Sequence, residues 1–479
     1  MSSCRNDFLG HGFDPSTKKM RRTAGPRCYD GAVLHSYARR VKTALMAIAT
    51  PNTSTTSTAP GTGQSYGVPL ATVTTLFFMW GFLTCLNDIL VPHLKSIFDL
   101  NYLQSQLIQF AFFGAYFVFS LPSARIVDAI GYQRSMVVGL LTMGVGAFLF
   151  VPAASVASYP LFLGALIVLA AGITCLQVAA NPYVTVLGKP ETASSRLNLT
   201  QAFNSLGTTL APYFGGVLIL SAAPKAIADI RALAPDALQA YRLHEAASVK
   251  TPYVGLGIAL VVLAIAIGSF KLPKIEHAQH KIGEKVNDSI WKHPSLIFGA
   301  IGIFVYVGAE VSIGSFLVNY FSLPEIGGLT AKVAADLVTF YWGGAMVGRF
   351  IGSAILQKIS TRGLLGVCAV CAAGLVAISM LASGHTAMYS IILVGFFNSI
   401  MFPSIFTLGV AELGPLTGDG SGVMIMAIVG GALIPLAQGA IADRIGLHHA
   451  FFLPVICYLY ILFFALSGSK PNSQRYAKA

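Results

Sequence analysis

Charged residues are scarce in this sequence. Asp, Glu, Lys and Arg make up 10% of its 479 residues, whereas a soluble domain contains roughly 25%. Hydrophobic residues account for 55%, and the mean hydropathy is +0.69. A chain of this length would form about three soluble domains, and their water-facing surfaces would need far more charge than is present. The composition therefore excludes a soluble multidomain protein and indicates an all-α membrane protein with many spans.

Motifs for several chemistries are also absent. There is no G-x-x-x-x-G-K-[ST] phosphate loop, which argues against ATP as the energy source. No His/Glu metal set and no nucleophile elbow occurs, so we expect neither an enzyme nor a cofactor. Cys368 and Cys371 form a C-x-x-C, but it lies in an apolar segment without a His or acidic neighbour. We interpret both thiols as small hydrophobic residues.

The net charge of +12 does not indicate a nucleic-acid partner. Residues 1–45 contain nine Lys and Arg against three Asp, and so contribute +6 of the total. The remaining excess is typical of a membrane protein with positively charged cytoplasmic loops. Because no aromatic and basic groove pattern appears, we expect a lipid bilayer and no nucleic acid around this chain.

The hydrophobic residues are concentrated in segments long enough to cross a hydrocarbon core of about 30 Å. Because the backbone must satisfy its own hydrogen bonds in lipid, these segments are predicted to be helices. There are twelve: 68–92, 103–124, 135–154, 159–187, 196–221, 251–271, 295–321, 334–356, 364–383, 386–411, 421–443 and 449–467.

The polar stretches between these segments define the predicted domains. A polar tail covers 1–67, and Met46 within it is an alternative start of the chain. Two six-helix bundles, 68–271 and 295–467, are separated by a linker over 272–294, and a second tail covers 468–479. With both termini in the cytoplasm, inner loops and adjoining helix ends hold twelve Lys and Arg and outer loops hold seven. This distribution favours cytoplasmic termini.

The two halves of the sequence resemble each other faintly. Pro182 and Pro403 each begin the spacing Pro-x4-Leu-Gly, 221 residues apart. Glycines and prolines also recur at an offset of 223 in spans 5 and 11: Gly207, Pro212 and Gly216 against Gly430, Pro435 and Gly439. Such pairs suggest matching kinks and close helix contacts around a central cavity. Twelve spans, a long central linker and this repeat together predict a pseudo-symmetric two-bundle transporter of the major facilitator type.

Most acidic residues lie in loops or near the predicted helix ends, but two lie in the interior of apolar spans. Asp88 is in span 1 and Glu310 is in span 7, at an offset of 222 that matches the repeat. A charged residue at mid-helix costs roughly 2.5–3.5 kcal/mol, so each carboxyl needs a partner, water or a proton. A carboxyl that gains and loses a proton as a cavity opens to either side meets the requirement for proton coupling. The alternatives are a sodium ion at Asp88, near carbonyls freed by Pro92, and a purely structural hydrogen bond.

Uncharged polar residues accompany these acids in spans 1, 4, 5 and 10. They are Asn87, Gln177, Asn181, Gln201, Asn204 and Asn398. Amides both donate and accept hydrogen bonds, which suits a neutral ligand rich in hydroxyls. Singly, each is as consistent with helix packing as with ligand contact. Six aromatic residues could cover sugar C–H groups: Trp80, Tyr116, Tyr306, Tyr320, Tyr341 and Trp342.

Cationic residues are missing from the middle of the spans, and Arg349 falls near the inner end of span 8. An anionic cargo is therefore disfavoured, because no mid-membrane Arg or Lys is available to bind it.

Three sequence motifs closely resemble the fucose:proton symporter family of the major facilitator superfamily. They are Leu86-Asn-Asp-Ile-Leu-Val-Pro92, Cys175-Leu-Gln-Val-Ala-Ala-Asn-Pro-Tyr-Val-Thr-Val-Leu-Gly188 and Arg196-Leu-Asn-Leu-Thr-Gln-Ala-Phe-Asn-Ser-Leu-Gly207. A fourth, Tyr306-Val-Gly-Ala-Glu-Val-Ser-Ile-Gly-Ser-Phe-Leu-Val-Asn-Tyr320, is similar to the glucose/galactose transporter branch. The resemblance implies symport of fucose, galactose or glucose with a cation, with Asp88 as the essential acid and Gln201 and Asn204 lining the sugar cavity.

Two positions depart from the fucose symporter pattern. That pattern has a second essential Glu in span 4 where this chain has Gln177, and an Asn where this chain has Cys85. Gln does not exchange a proton near neutral pH, so either Glu310 replaces the second acid or sodium replaces the proton.

The sequence therefore predicts a monomeric, multi-pass protein of the bacterial inner membrane. We expect it to import glucose and/or galactose with H⁺ or Na⁺ by alternating access. Mannose and fucose are alternative substrates. Fucose:proton symport, and export or antiport on the same fold, are alternative functions. A membrane enzyme or sensor is a further alternative, but it would need a catalytic set that the sequence lacks.

Overall fold

The computed structural model describes residues 66–98, 102–218, 234–247, 249–273, 275 and 288–470. Within these ranges it describes the backbone but not the side chains of residues 83–98, 102–107, 212–218, 235, 245, 246 and 331. All described residues belong to one unit, Ala47–Ala479.

Six long helices form the first half of the described chain. They are α1 (Gly67–Phe98), α2 (Tyr102–Ile130), α3 (Tyr132–Val156), α4 (Tyr159–Val186), α5 (Ala193–Leu218) and α7 (Lys250–Ser269). A shorter and more polar helix, α6 (Pro235–Ala247), lies between the last two. Each long helix coincides with one of the first six predicted spans to within three residues, except that α1 and α2 extend further.

The second half contains three continuous and three interrupted helical segments. The continuous helices are α8 (Pro294–Phe321), α9 (Ala331–Ile355) and α10 (Thr361–Leu381). The interrupted segments are α11 (Gly384–Asn398) with α12 (Met401–Gly409), α13 (Thr417–Met426) with α14 (Gly430–Ile445), and α15 (Leu447–Ala450) with α16 (Phe452–Phe463). The twelve predicted spans therefore each correspond to helix in the described ranges, although the domain limits proposed from the sequence stay a prediction.

Length and hydropathy identify nine of the described helical segments as long and apolar enough to cross a membrane. The helices outside this set are the short α6; α5 and α9, which contain more polar residues; and α1, of which only Gly67–Phe82 counts as a shorter apolar helix. Polar residues in a spanning helix of a large bundle face other helices rather than lipid. The more polar α5 and α9 are among the helices through which the two halves of the protein meet, together with α2, α4 and α13.

Two glycines at matching positions of the repeat, one in each half, allow neighbouring helix backbones to approach each other closely. A Cβ atom added at Gly207 of α5 would lie 2.2 Å from the Phe78 carbonyl oxygen of α1. A Cβ atom added at Gly430 of α14 would lie 2.0 Å from the Phe304 carbonyl oxygen of α8. Small residues permit such close crossings. The close contacts predicted from the repeat are therefore confirmed at this pair.

Gly430→Ala is expected to destabilise the protein, because its new methyl group would overlap the α8 backbone. Overpacking of this kind typically costs about 1–3 kcal/mol, so the midpoint of thermal unfolding in detergent should fall. Gly343→Ala in α9 is the matched control, since nothing lies within 4 Å of a Cβ atom at that position and Ala favours helix over Gly by about 1 kcal/mol. Equal effects of the two variants would show that the close crossing is unimportant.

The two halves meet at one end of the molecule, which we call the closed end. It consists of residues near helix termini: Ser194, Ser195 and Asn198 at the start of α5, Ser353 near the end of α9, Thr361 at the start of α10 and Thr407 near the end of α12. Ser195 Oγ donates to the Ser353 carbonyl oxygen at 2.7 Å, and Ser353 Oγ donates to the Ser195 carbonyl oxygen at 3.1 Å. This reciprocal pair holds α5 against α9.

Further contacts join the halves at the same end. Ser194 Oγ lies 2.6 Å from Thr407 Oγ1, and Thr361 Oγ1 donates to Ser194 Oγ at 3.0 Å. Between α13 and α4, Ser421 Oγ donates to the Val178 carbonyl oxygen at 3.0 Å. The seal between α5, α9, α10 and α12 at the closed end is therefore built largely from neutral hydroxyl groups.

Candidate functional site

Three amides predicted from the sequence come together on α4 and α5. Gln177 and Asn181 are one turn apart on α4, and Gln201 of α5 places its Nε2 atom 3.5 Å from Asn181 Oδ1. Gln177 Nε2 donates to the Tyr116 hydroxyl of α2 at 2.7 Å. All four side chains are buried. We call these residues, Tyr116, Gln177, Asn181 and Gln201, the amide cluster.

Two polar atoms of the amide cluster have no hydrogen-bond partner among the described side chains and backbone. They are the acceptor Gln177 Oε1 and the donor Asn181 Nδ2, both fully buried. A buried polar atom without a partner costs about 1–3 kcal/mol. A hydroxyl group both donates and accepts, so a ligand that carries hydroxyls offers the complementary chemistry for both atoms.

Asn204 forms its hydrogen bond outside the amide cluster. Its Nδ2 atom donates to the Phe77 carbonyl oxygen of α1 at 2.9 Å. This bond is of the kind that fixes one helix against another. Asn87 and Asp88, the remaining residues predicted on span 1, lie on α1 with side chains outside the described residues.

Two side chains interact with the carboxylate of Glu310 on α8. The Tyr306 hydroxyl donates to Glu310 Oε1 at 2.8 Å, and Arg349 Nη2 lies 3.9 Å from the same oxygen. The Glu310 and Arg349 side chains are only 13% and 14% exposed. Glu310 is therefore a paired carboxyl rather than a lone one.

From the sequence, Arg349 was placed near the inner end of span 8 and assigned no acidic partner, whereas in the structure its guanidinium lies beside Glu310. Side chains on a helix tilt toward its N-terminus. Because α9 runs toward the closed end, the long Arg349 side chain is directed back along the helix, away from that end, and its guanidinium lies beside Glu310. An arginine in an otherwise apolar span was the signal that pointed to such a partner.

Asn398 belongs with Glu310 rather than with the other amides. Asn398 Nδ2 donates to the Tyr341 hydroxyl at 2.9 Å, and that hydroxyl lies 3.3 Å from the Glu310 carbonyl oxygen. The Tyr306 hydroxyl is also 3.0 Å from the Asn398 carbonyl oxygen. We call these five residues, Tyr306, Glu310, Tyr341, Arg349 and Asn398, the charged cluster. The predicted polar residues thus divide into two groups, one in each half.

The aromatic residues proposed as sugar faces are mostly unsuited to that role. The rings of Tyr306, Tyr320 and Tyr341 are fully buried. The Tyr306 and Tyr341 hydroxyls serve the charged cluster, and the Tyr320 hydroxyl bonds to Ser379 at 2.9 Å. Trp342 is 43% exposed and packs edge-on against Tyr341. Sequence position alone could not distinguish a cavity-facing ring from a packed one. In a helix that is apolar on all sides, the sequence pattern does not indicate which face points into the protein.

Ser205 is a site residue that the sequence analysis missed. It lies one turn after Gln201 on α5, and Arg349 Nη1 donates to its Oγ atom. Arg349 Nε also donates to the Ser399 carbonyl oxygen at 3.3 Å. A small hydroxyl residue in a helix gives little signal of its own, and only the packing of α5 against α9 brings it to the guanidinium.

Comparisons with known proteins agree with this architecture. Residues 70–434 match the family described as Major Facilitator Superfamily. A glucose/galactose transporter of Brucella abortus is 54% identical over 425 residues, which cover 89% of this chain and 100% of the relative. The L-fucose-proton symporter of Escherichia coli is 35% identical over 85% of this chain and 94% of its own length.

A solved structure shows the same fold. The major facilitator superfamily transporter FucP, solved in the outward conformation, superimposes with a TM-score of 0.79, at 34% identity over 85% of this chain and 100% of that chain. The resemblance found in the sequence motifs and the predicted fold are both confirmed. The family match, the related transporters and the two-bundle helical architecture lead to one conclusion: the chain belongs to the major facilitator superfamily, as a multi-pass membrane transporter and not an enzyme.

Proposed function

We propose that this protein is a secondary active sugar transporter that imports glucose and/or galactose with a proton by alternating access. The observation that carries the proposal is the amide cluster, whose buried acceptor on Gln177 and buried donor on Asn181 fit a hydroxyl-rich neutral ligand. Relatives named as glucose/galactose transporters support a hexose as that ligand. A relative named as a fucose-proton symporter supports a proton as the coupling ion.

The two halves of the protein have different roles in this proposal. Gln177, Asn181 and Gln201 bind sugar hydroxyls, while Asn87 and Asn204 on the neighbouring helices complete or support that site. Asp88 of α1 is the principal coupling residue, and Glu310 of α8 replaces the second acid that Gln177 cannot supply. Asn398 orients the charged cluster through Tyr341.

A proton suits Glu310 better than a sodium ion does. The Arg349 guanidinium lies 3.9 Å from the carboxylate, and two cations at such short separation repel each other strongly in a buried site. A proton neutralises the carboxyl without adding a second cation beside the guanidinium. Sodium at Asp88 is the remaining alternative for the coupling ion.

The closed end is the cytoplasmic end in this proposal. The Lys and Arg distribution favours cytoplasmic termini, and α5 then begins and α9 then ends on the cytoplasmic side. The chain is therefore in an outward-facing conformation, like the similar structure solved in the outward conformation. It lies in a bacterial inner membrane. Both polar clusters are supplied by one chain, so a monomer suffices.

Proteoliposomes that contain the purified protein test this function directly. Labelled glucose and galactose should accumulate when the outside is acidic, and a protonophore should abolish that accumulation. An imposed sodium gradient at equal pH should have no effect. Accumulation driven by sodium alone would contradict proton coupling, whereas failure to move either hexose would overturn the proposed function. Stronger competition by fucose than by glucose would favour the fucose alternative.

A further inference from the structure

Arg349 has bonds in both halves of the protein. Its guanidinium contacts Ser399 and Glu310 in the second half and Ser205 of α5 in the first half. Its backbone carbonyl oxygen also accepts a bond from Asn198 Nδ2 of α5 at 2.7 Å. One residue thus joins the charged cluster to the contact between α5 and α9.

The contact between α5 and α9 extends from the closed end past Arg349. It begins at the reciprocal Ser195 and Ser353 bonds and continues through the edge-on pair of Phe203 and Phe350 rings, 5.8 Å apart. These helices must separate if the closed end opens, and the bonds from α5 to Arg349 must then break.

The charge on Arg349 is balanced by Glu310 at 3.9 Å. Among the side chains that the structure describes, the other titratable groups that interact with Glu310 are tyrosines: Tyr306 on its own helix, Tyr341 on α9 and Tyr458 on α16. A free tyrosine titrates near pH 10, above the range in which a carrier works. Protonation of Glu310 would therefore leave a buried guanidinium without a counter-charge, which disfavours the state that buries it.

We propose that Arg349 is the positioning residue that couples the charge of Glu310 to the contact between α5 and α9. An ionised Glu310 stabilises the buried guanidinium and with it the closed end. A protonated Glu310 leaves the guanidinium unbalanced and favours separation of α5 from α9, where water reaches it. This inference rests on the proposed function for its physiological meaning, but its test needs no sugar.

Disulfide cross-linking at the closed end measures the proposed coupling. Ser195→Cys with Ser353→Cys places two thiols where the reciprocal bonds now hold the backbones together. A protease site inserted in the linker 272–294 lets a non-reducing gel distinguish joined halves from separated ones. Ser195→Cys alone controls for the native cysteines, such as Cys175 and Cys368.

The initial rate of cross-linking is divided at each pH by the oxidation rate of a dithiol peptide, because the reactive thiolate fraction itself changes with pH. This corrected rate should depend on charge balance. In the parent protein it should fall as the pH is lowered and the carboxyl gains its proton, a range in which a free tyrosine does not change its charge. Glu310→Gln should be about tenfold slower than the parent at high pH, where the parent carboxyl is ionised, and should match the parent at low pH, because removal of one partner strands a buried charge. Glu310→Gln with Arg349→Gln should restore the rate to within about twofold of the parent at high pH, without pH dependence, because both charges are gone.

Three results would overturn the inference: a rate in Glu310→Gln equal to that of the parent at high pH, a double variant as slow as Glu310→Gln at high pH, or a pH dependence of the corrected rate that survives in the double variant. Arg349→Lys provides a folded comparison that keeps the charge but loses the planar fork of donors. It should retain the pH dependence at a reduced rate. If hexose transport fails while this pattern holds, the proposed cargo is wrong and the coupling through Arg349 remains.

Discussion

Asp88→Asn is expected to abolish concentrative hexose uptake while leaving exchange of labelled for unlabelled hexose largely intact. Asn keeps the size and hydrogen-bonding capacity of the side chain but cannot gain or lose a proton. One co-transported charge supplies about 2.3 kcal/mol per 100 mV, which supports an accumulation of about 50-fold. In Asp88→Asn the ratio of internal to external hexose should approach about one, since a carrier without a coupled ion only equilibrates its substrate.

The measurement is uptake by proteoliposomes with an imposed potential and pH gradient, followed by exchange in the same vesicles without gradients. Asp236→Asn is the matched control, because Asp236 is exposed on α6 rather than in a spanning helix. That variant should behave as the parent does. Undiminished accumulation by Asp88→Asn would remove Asp88 from the coupling role, and loss of exchange as well would show that it is needed for sugar binding itself.

Gln177→Leu is expected to weaken hexose binding strongly. Leu has a similar volume but offers neither the acceptor that is free on Gln177 nor the bond to the Tyr116 hydroxyl. A sugar hydroxyl buried against Leu loses its partner, which costs about 1–3 kcal/mol and corresponds to a rise in the apparent Kd of about 5-fold to 150-fold. Competition against labelled hexose exchange measures this shift without any dependence on the coupling ion.

Gln133→Leu separates loss of a ligand contact from loss of helix packing. Gln133 Nε2 donates to the Ile267 and Phe270 carbonyl oxygens at 2.8 and 2.6 Å, and so ties α3 to the end of α7. Its replacement should lower thermal stability and leave the affinity of the folded protein for hexose unchanged. Equal affinities of Gln177→Leu and the parent would exclude Gln177 from the sugar site.

The fold was largely predictable because lipid leaves the backbone few choices. Apolar segments of sufficient length must be helical, and their positions agree with the observed helices from α1 to α16. The exceptions are local: the predicted span 386–411 is interrupted between Asn398 and Met401, span 421–443 between Met426 and Gly430, and span 449–467 between Ala450 and Phe452. Pro403 lacks an amide hydrogen for the helix ladder, and Gly430 lies against the α8 backbone. These interruptions depend on helix packing, which hydropathy does not record.

The site was less predictable than the fold. Gln177, Asn181 and Gln201 share a cluster, as the spacing along α4 and α5 suggested. Asn204 and Asn398 do not belong to it, because the direction of a side chain between helices depends on crossing geometry as well as on spacing along one helix. The pairing of Arg349 with Glu310 was missed for the same reason, since it joins residues from α9 and α8.

The reciprocal bonds between Ser195 and Ser353 bear on how much work a transport cycle must do. When these helices part, each hydroxyl and carbonyl exchanges its protein partner for water, and the net free energy of such an exchange is only about 0.5–1.5 kcal/mol per bond. Two nearly balanced conformations respond to a modest bias. A carrier closed by such bonds has two conformations of similar free energy. A single ion moving down its gradient is then sufficient to drive the change from one to the other.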